Sequence, residues 1–464
     1  MLNGRKVAVI GLDCAAPRLV FDDWRRELPH LNELMNRGSY GPLESCHPPI
    51  TVPAWSVMTS SKDPGQLGFY GFRNRRDHSY DSYAIASSKS ITHDRVWDIL
   101  SRAGKRVILL GVPQTYPPQP VNGSMVTCFL TPSNQSRYTH PPELREEIER
   151  VSGGYIFDVE GFRTGDKGQL LNRIYDKTRK HFTVARHLVK NQPWDFFMMV
   201  EMGVDRIHHG FWDHMDPTHP KYEAGNPYEE AIRTYYRHVD AEVGELLALM
   251  PDDTVVLVVS DHGAKKMDGA VCINEWLIER GQLALAAPVR QPTQITQAPI
   301  DWARTRAWGD GGYYGRLFFN VKGREPQGTI AKDDYERFRT DMIAEIEALP
   351  GPDGKSLGSK AHRPEELYRE CRGVAPDLIV YFGNLDWRSV GSVGIGSTYT
   401  FDNDTGPDGA NHDWHGISIF ADPSRPAGGR KLEGLRLVDI APTVLDLFGL
   451  PIPEDMTGRV VAAA

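Results

Sequence analysis

Six residues of this chain have the side chains of a metal centre and recur at similar places in the local pattern. Asp13 comes directly after the apolar run Lys6 to Leu12. Asp205 follows FFMMVEMGV, and His209 comes four residues later. Asp261 and His262 end the run TVVLVVS, and His412 precedes GISIF. Carboxylate oxygen mixed with imidazole nitrogen suits zinc or manganese, whereas calcium would ask for oxygen alone. Each element is weak by itself. A single Asp after a strand is usually a helix cap or turn former. A single Asp-x-x-x-His is common, because positions i and i+4 share a face in any helix. Repetition at successive strand ends is hard to explain as independent caps. His208, His214 and His219 are expected to be bystanders, solvated or hydrogen-bonded.

A seventh candidate is Thr51, which stands between two proline-containing stretches in CHPPITVPAWSVMTS and before a helix-like run, Ala54 to Ser60. A hydroxyl at a helix N-terminus feels the positive end of the dipole, where phosphate also binds. A metal bound to it would lower its pKa and make it a nucleophile. For a threonine taken alone, simple capping is the favoured account.

These residues need elements to hold them. Lys6 to Leu12, Arg106 to Gly111, Phe196 to Glu201, Thr254 to Ser260 and Asp377 to Phe382 are nearly all apolar, as expected of strands buried on both faces. Gly416 to Phe420 is a shorter version. Helical patterns lie between them: His30 to Arg37, Arg95 to Arg102, Gly168 to Val189, Tyr228 to Met250, Tyr335 to Leu349 and Asp439 to Leu447. The alternation predicts an α/β fold with a mostly parallel sheet and helices on both faces. Ligands of such sheets bind at the carboxyl ends of the strands, where Asp13, Asp205, Asp261 and His262 fall. Two stretches break the rhythm. Pro113 to Asp166 reads as surface excursions. Gly263 to Arg372 reads as an inserted subdomain.

Composition narrows the function. The net charge is −8, so no global basic field attracts nucleic acid, and duplex binding is not expected. Five cysteines, Cys14, Cys46, Cys128, Cys272 and Cys371, form no CxxC pair, which fits a reducing compartment. The run Val7 to Leu12 is too short for a signal-peptide core, and no stretch approaches the roughly 20 apolar residues of a membrane span. The expectation is a soluble, cytoplasmic protein, with a homo-oligomer left open.

Taken as a set, VIGLD at 9 to 13, PPITVPAW at 48 to 55, DRIHH at 205 to 209, SDHG at 260 to 263 and HDWHG at 412 to 416 resemble the alkaline phosphatase superfamily. The chain is most similar to its type I phosphodiesterase/nucleotide pyrophosphatase branch. PHLNELMNRGSYGPLES at 29 to 45, INEWLIERGQL at 273 to 283, KGREPQG at 322 to 328 and DIAPTVLDLFGLPIPEDMTGR at 439 to 459 extend the resemblance over essentially the whole chain. It implies an alkaline-phosphatase-like core, 1–262 and 373–464, with an inserted cap, 263–372. It implies two divalent ions, zinc or manganese by ligand type. One would be held by Asp13, Thr51, Asp261 and His262, the other by Asp205, His209 and a late histidine. The family pattern favours His412 for that place. From the residues alone His415 stays open.

The implied reaction is hydrolysis of a phosphodiester or nucleotide pyrophosphate bond in a small phosphate ester, with Thr51 as nucleophile and a phospho-threonine intermediate. A phosphomonoesterase, a phosphonate hydrolase and a phosphomutase or phosphotransferase are the alternatives on this scaffold. A formylglycine sulfatase is disfavoured, since the arginine of its CxPxR signature is replaced by Ile50. Asn74 stands 23 positions after Thr51, roughly where diesterases place a phosphate-binding asparagine. Trp308, Tyr313 and Tyr314 could stack on a base or sugar. Arg73, Arg75, Arg76, Lys265 and Lys266 could meet phosphate or simply face solvent.

Overall fold

The computed structural model describes residues 5–461. Its central sheet runs, in spatial order, through Arg430–Lys431, Ser39–Glu44, His415–Ala421, Val255–Val259, Val7–Leu12, Phe196–Glu201, Val107–Leu110, Gly123–Val126 and Thr139–His140. The five strands from Val255–Val259 to Gly123–Val126 are mutually parallel. Four of them, Val255–Val259, Val7–Leu12, Phe196–Glu201 and Val107–Leu110, are buried at every residue. Alternate side chains therefore feed two cores. Ala8, Ile10 and Leu12 enter one, under the helices Pro29–Arg37, Lys167–Asn191, Gly203–Met215 and Ala231–Leu247. Val7 and Val9 enter the other, under Thr51–Ser60, Val96–Arg102 and Ile440–Leu447. The α/β fold with helices on both faces is thus present. The buried runs became strands because only a doubly covered sheet removes both sides of such a segment from water.

Three strand readings change. Gly416 to Phe420 lies in His415–Ala421, but runs antiparallel to Val255–Val259. Ser39–Glu44 was not anticipated, because Gly41 and Pro42 depress strand propensity. Asp377 to Phe382 does form a strand, Leu378–Tyr381, but it belongs to a second, four-stranded antiparallel sheet ordered Ala307–Asp310, Gly315–Phe319, Leu378–Tyr381, Lys360–His362. That sheet packs with the helices Ile273–Glu279 and Tyr335–Glu347 around its own apolar core, from Val271 to Val393. Most of this unit comes from the stretch expected as a cap, 263–372, but its sheet takes one strand from beyond it. A buried apolar strand looks the same in sequence whichever sheet it joins.

Candidate metal centre

The ligand candidates gather at the carboxyl ends of the central strands. Asp13 leaves Val7–Leu12 with its N–H donating to Glu201 O at 3.1 Å. Trp55 Nε1 donates to Asp13 Oδ2 at 2.6 Å. The indole reaches it by crossing Gly11, where an added Cβ would lie 2.5 Å from the Trp55 ring, so that position must lack a side chain. Asp261 and His262 leave Val255–Val259. Ser260 Oγ accepts from Ala15 N and donates to His262 O, which ties the Asp13 and Asp261 turns together. Asp205 sits in the first turn of Gly203–Met215, and His209 is one turn further on the same face. His412 lies on Ala410–Asp413, paired opposite Ala264 of Gly263–Lys266. Thr51 is the first residue of its helix and makes no side-chain capping bond, so the capping account does not hold.

Two groups of ligand atoms result, Asp13–Asp261–His262 and Asp205–His209–His412, each within 4.8 Å of one another and all buried. The groups adjoin. The His262 and His412 rings stack at 3.8 Å between centroids, and Thr51 Oγ1 lies 3.4 Å from His262 Nε2. His209 Nε2 is 3.1 Å from Asp205 Oδ1 and 3.3 Å from His412 Nε2. All three histidines spend Nδ1 on an outer acceptor: Gly263 O for His262, Pro49 O for His412 and Asp408 Oδ1 for His209. That pattern leaves the Nε2 lone pairs facing inward, the arrangement in which imidazole ligates metals. Asp13 Oδ1 and Asp261 Oδ2 are buried with no hydrogen-bond partner. His262 Nε2 is 3.1 Å from that Asp261 oxygen, but not in hydrogen-bonding geometry. Buried bare carboxylate oxygens are costly unless a cation meets them, so the donor set fits a divalent ion in each group. His415, three residues on, opens the adjoining strand with its side chain exposed, so geometry favours His412 over it.

The electrostatics agree. Burial, reinforced by Asp205, raises the Asp13 carboxyl well above its ordinary range. Burial, reinforced by Asp13, does the same to Asp261. Burial would also raise Asp205, but His209 and Arg206 outweigh it and hold it well below. Burial would depress His209, yet Asp408 and Asp205 hold it at about 9. Burial brings His262 down to about 4.

An outer layer, unread in the sequence, holds the second group. Asp408, whose carboxylate is buried, accepts from His209 Nδ1 at 2.8 Å, Tyr313 OH at 3.0 Å and Arg163 Nε at 2.9 Å. Arg206 bonds Asp205 with one nitrogen and clasps Asp158 with Nε and Nη2, at 2.8 and 2.7 Å. Tyr313 stacks on His209 at 4.8 Å. It is the one member of the expected aromatic trio at the centre. Trp308 is in the core of the second unit, and the Tyr314 hydroxyl donates to Tyr70 O. Asn74 closes a turn with the backbone just before it. Its Oδ1 accepts from Tyr70 N at 2.7 Å and its Nδ2 donates to Gly71 O at 2.9 Å, so its amide closes its own turn. Arg75 is buried beside Glu325, and Lys265 and Lys266 pair with Asp386 and Asp268, while Arg73 and Arg76 are exposed. His208 bonds Tyr236 OH at 3.1 Å, as a bystander would.

The family model described as "Type I phosphodiesterase / nucleotide pyrophosphatase" matches residues 7–408. The chain belongs to this family. It is a family of hydrolytic enzymes of the alkaline phosphatase superfamily. Among solved structures, human ectonucleotide pyrophosphatase/phosphodiesterase 5 is similar over 98% of this chain and 97% of its own, with a TM-score of 0.58 and 12% identity. An inactive threonine-to-alanine variant of the murine counterpart, in complex with AMP, matches over 97% of each chain with a TM-score of 0.58 and 11% identity. Phosphonoacetate hydrolase from Sinorhizobium meliloti 1021 matches over 94% of each chain with a TM-score of 0.60 and 15% identity. A curated relative, 2,3-bisphosphoglycerate-independent phosphoglycerate mutase of Cereibacter sphaeroides, is 65% identical over 34 residues, 7% of this chain and 6% of that protein. Among the described residues, no helix of this family member is long and apolar enough to cross a membrane.

Proposed function

We propose that this enzyme hydrolyses phosphodiester or nucleotide pyrophosphate bonds of small substrates, with Thr51 as nucleophile. The observation that carries the reading is the convergence of Thr51 with two buried ligand groups in one crevice. Asp13, Thr51, Asp261 and His262 would hold one ion, and Asp205, His209 and His412 the other, with zinc favoured by the ligand types. Bound divalent ions supply positive charge to the phosphoryl oxygens and lower the pKa of coordinated hydroxyls. Thr51 Oγ1 attacks phosphorus at the positive end of its helix dipole. Its O–H proton leaves to solvent, its P–O bond forms as the bond to the leaving oxygen breaks, and that oxygen keeps the electron pair. Water then cleaves the phospho-threonine and restores the hydroxyl. Asp408 keeps the His209 ring oriented throughout, and Arg206 fixes the Asp205 carboxylate. The second unit, from 263 to beyond 372, acts as a cap that presents Tyr313 beside the reacting group. The inactive murine threonine variant and the family description both support this reading over the mutase alternative, whose likeness spans only a short segment.

The test joins elemental analysis to hydrolysis of paired p-nitrophenyl monoester and diester substrates. About two ions per chain with diester preference is the expected result. Two ions with preference for the monoester, or for a phosphonate, would keep the scaffold and change the substrate class. No bound metal and no activity with added zinc or manganese would overturn the reading.

A further inference from the structure

Cys14 is the residue of the centre that the two ligand groups do not use. It follows Asp13 in sequence, is fully buried, and its thiol donates to Gly263 O at 3.4 Å. Its sulfur also lies within 4.8 Å of a ring nitrogen of His262 and one of His412, which the proposed function assigns to different ions. Asp13 Oδ1 and Asp261 Oδ2, of the group that shares His262 with Cys14, are buried and without hydrogen-bond partners. Cys128 and Cys272 are as buried as Cys14, yet among the described residues neither has such a group of ligand atoms around it. The Cys14 backbone has φ +68°, a conformation glycine adopts freely and a cysteine adopts at a cost. A side chain is therefore carried where the backbone alone would be better served by none.

We propose that Cys14 supplies a thiolate to the metal centre, between the two ligand groups. The inference rests on the metal reading given above. A bound cation would take the Cys14 sulfur as thiolate in exchange for its S–H proton, released to solvent, with no change of oxidation state. A soft sulfur among nitrogen and oxygen donors shifts selectivity toward zinc and cadmium and away from manganese and magnesium.

The full chain loaded with cobalt(II) tests this by absorption, beside Cys14→Gly and Cys14→Ser. Cys14→Gly suits the positive φ of this position and Cys14→Ser keeps most of the side-chain volume, so a change shared by both is not a backbone or packing defect. The expected result is a near-ultraviolet sulfur-to-cobalt charge-transfer band that disappears in both variants. The cobalt Kd should rise roughly 10-fold or more, as for loss of a group that supports a metal site. The preference for zinc over manganese should narrow in the same variants. Cobalt bound with ligand-field bands alone, unchanged by either variant, overturns the thiolate and leaves the metal centre standing. Failure to bind cobalt at all overturns both.

Discussion

The two ligand groups of this centre draw on the same two residue types, two carboxylates and one imidazole in the first and the reverse in the second, and differ in charge balance. Around Asp13, Asp261 and His262 no Lys or Arg among the described residues forms an ion pair, two carboxylate oxygens are bare, and burial pushes both carboxyls up. Around Asp205, His209 and His412 the Arg206 guanidinium already meets one carboxylate, and outer carboxylates fix the cations in turn. The first group lacks only positive charge. The second is a closed ion-pair network into which a metal must compete. The number of carboxylates in each group and the outer neighbours together set how much charge remains for the ion.

Loss of a ligand tests this most severely. Asp261→Asn and Asp205→Asn should each cost about one ion and roughly a thousand-fold or more in kcat, on the scale of losing a member of a catalytic unit. Elemental analysis separates the two, and an Asp205→Asn protein that keeps both ions would break the distinction between the groups. Asp408→Asn preserves shape but removes the charge behind His209. It should weaken one ion roughly 10–100-fold and spare the other, as read by competition with a graded chelator.

The pH dependence of the chelated protein sharpens the comparison further. His209, raised to about 9, contributes stability that is fully present below its ordinary 6.5 and is lost as pH rises through about 9. Asp13 and Asp261, also raised, act in the same sense, with stability present at acid pH and lost as pH rises through their raised values. Asp205 is depressed, so its contribution is present above the ordinary carboxylate range and lost only on the acid side. Thermal denaturation between pH 6 and 10 should therefore show an alkaline loss, of which His209 accounts for about 3 kcal/mol. His209→Gln should flatten that part, and an unchanged slope would disconnect His209 from Asp408. The smallest effect is expected at the surface. His415→Gln should alter metal content and turnover by less than about twofold, since the side chain is exposed and away from both groups.

The legible part of the site was the part written locally. Asp13, Asp261 and His262 directly follow buried apolar runs, and Asp205 with His209 has helical spacing on the next element. The illegible part joins distant segments. Asp408 meets His209 and Arg163 across 199 and 245 positions, and nothing around GPDG marks it as a partner. Tyr313 could not be told from Trp308 or Tyr314, because an aromatic run reads alike whether it lines a site or fills a core. Asn74 is hard to read for a related reason. Its spacing from Thr51 suggested a substrate contact, but asparagine readily closes a turn through its own amide.

The sequence by itself determined the α/β class, the strand ends that carry the ligands and the family. Those properties depend on residue type and short spacing, which the chain states directly. The tertiary structure decided that His412 rather than His415 lies beside Asp205 and His209, which sheet Leu378–Tyr381 joins, and that Cys14 lies close to both His262 and His412. Each of these depends on which distant segments the packing brings within a few ångströms, and hydrophobic patterning specifies burial without specifying the neighbour.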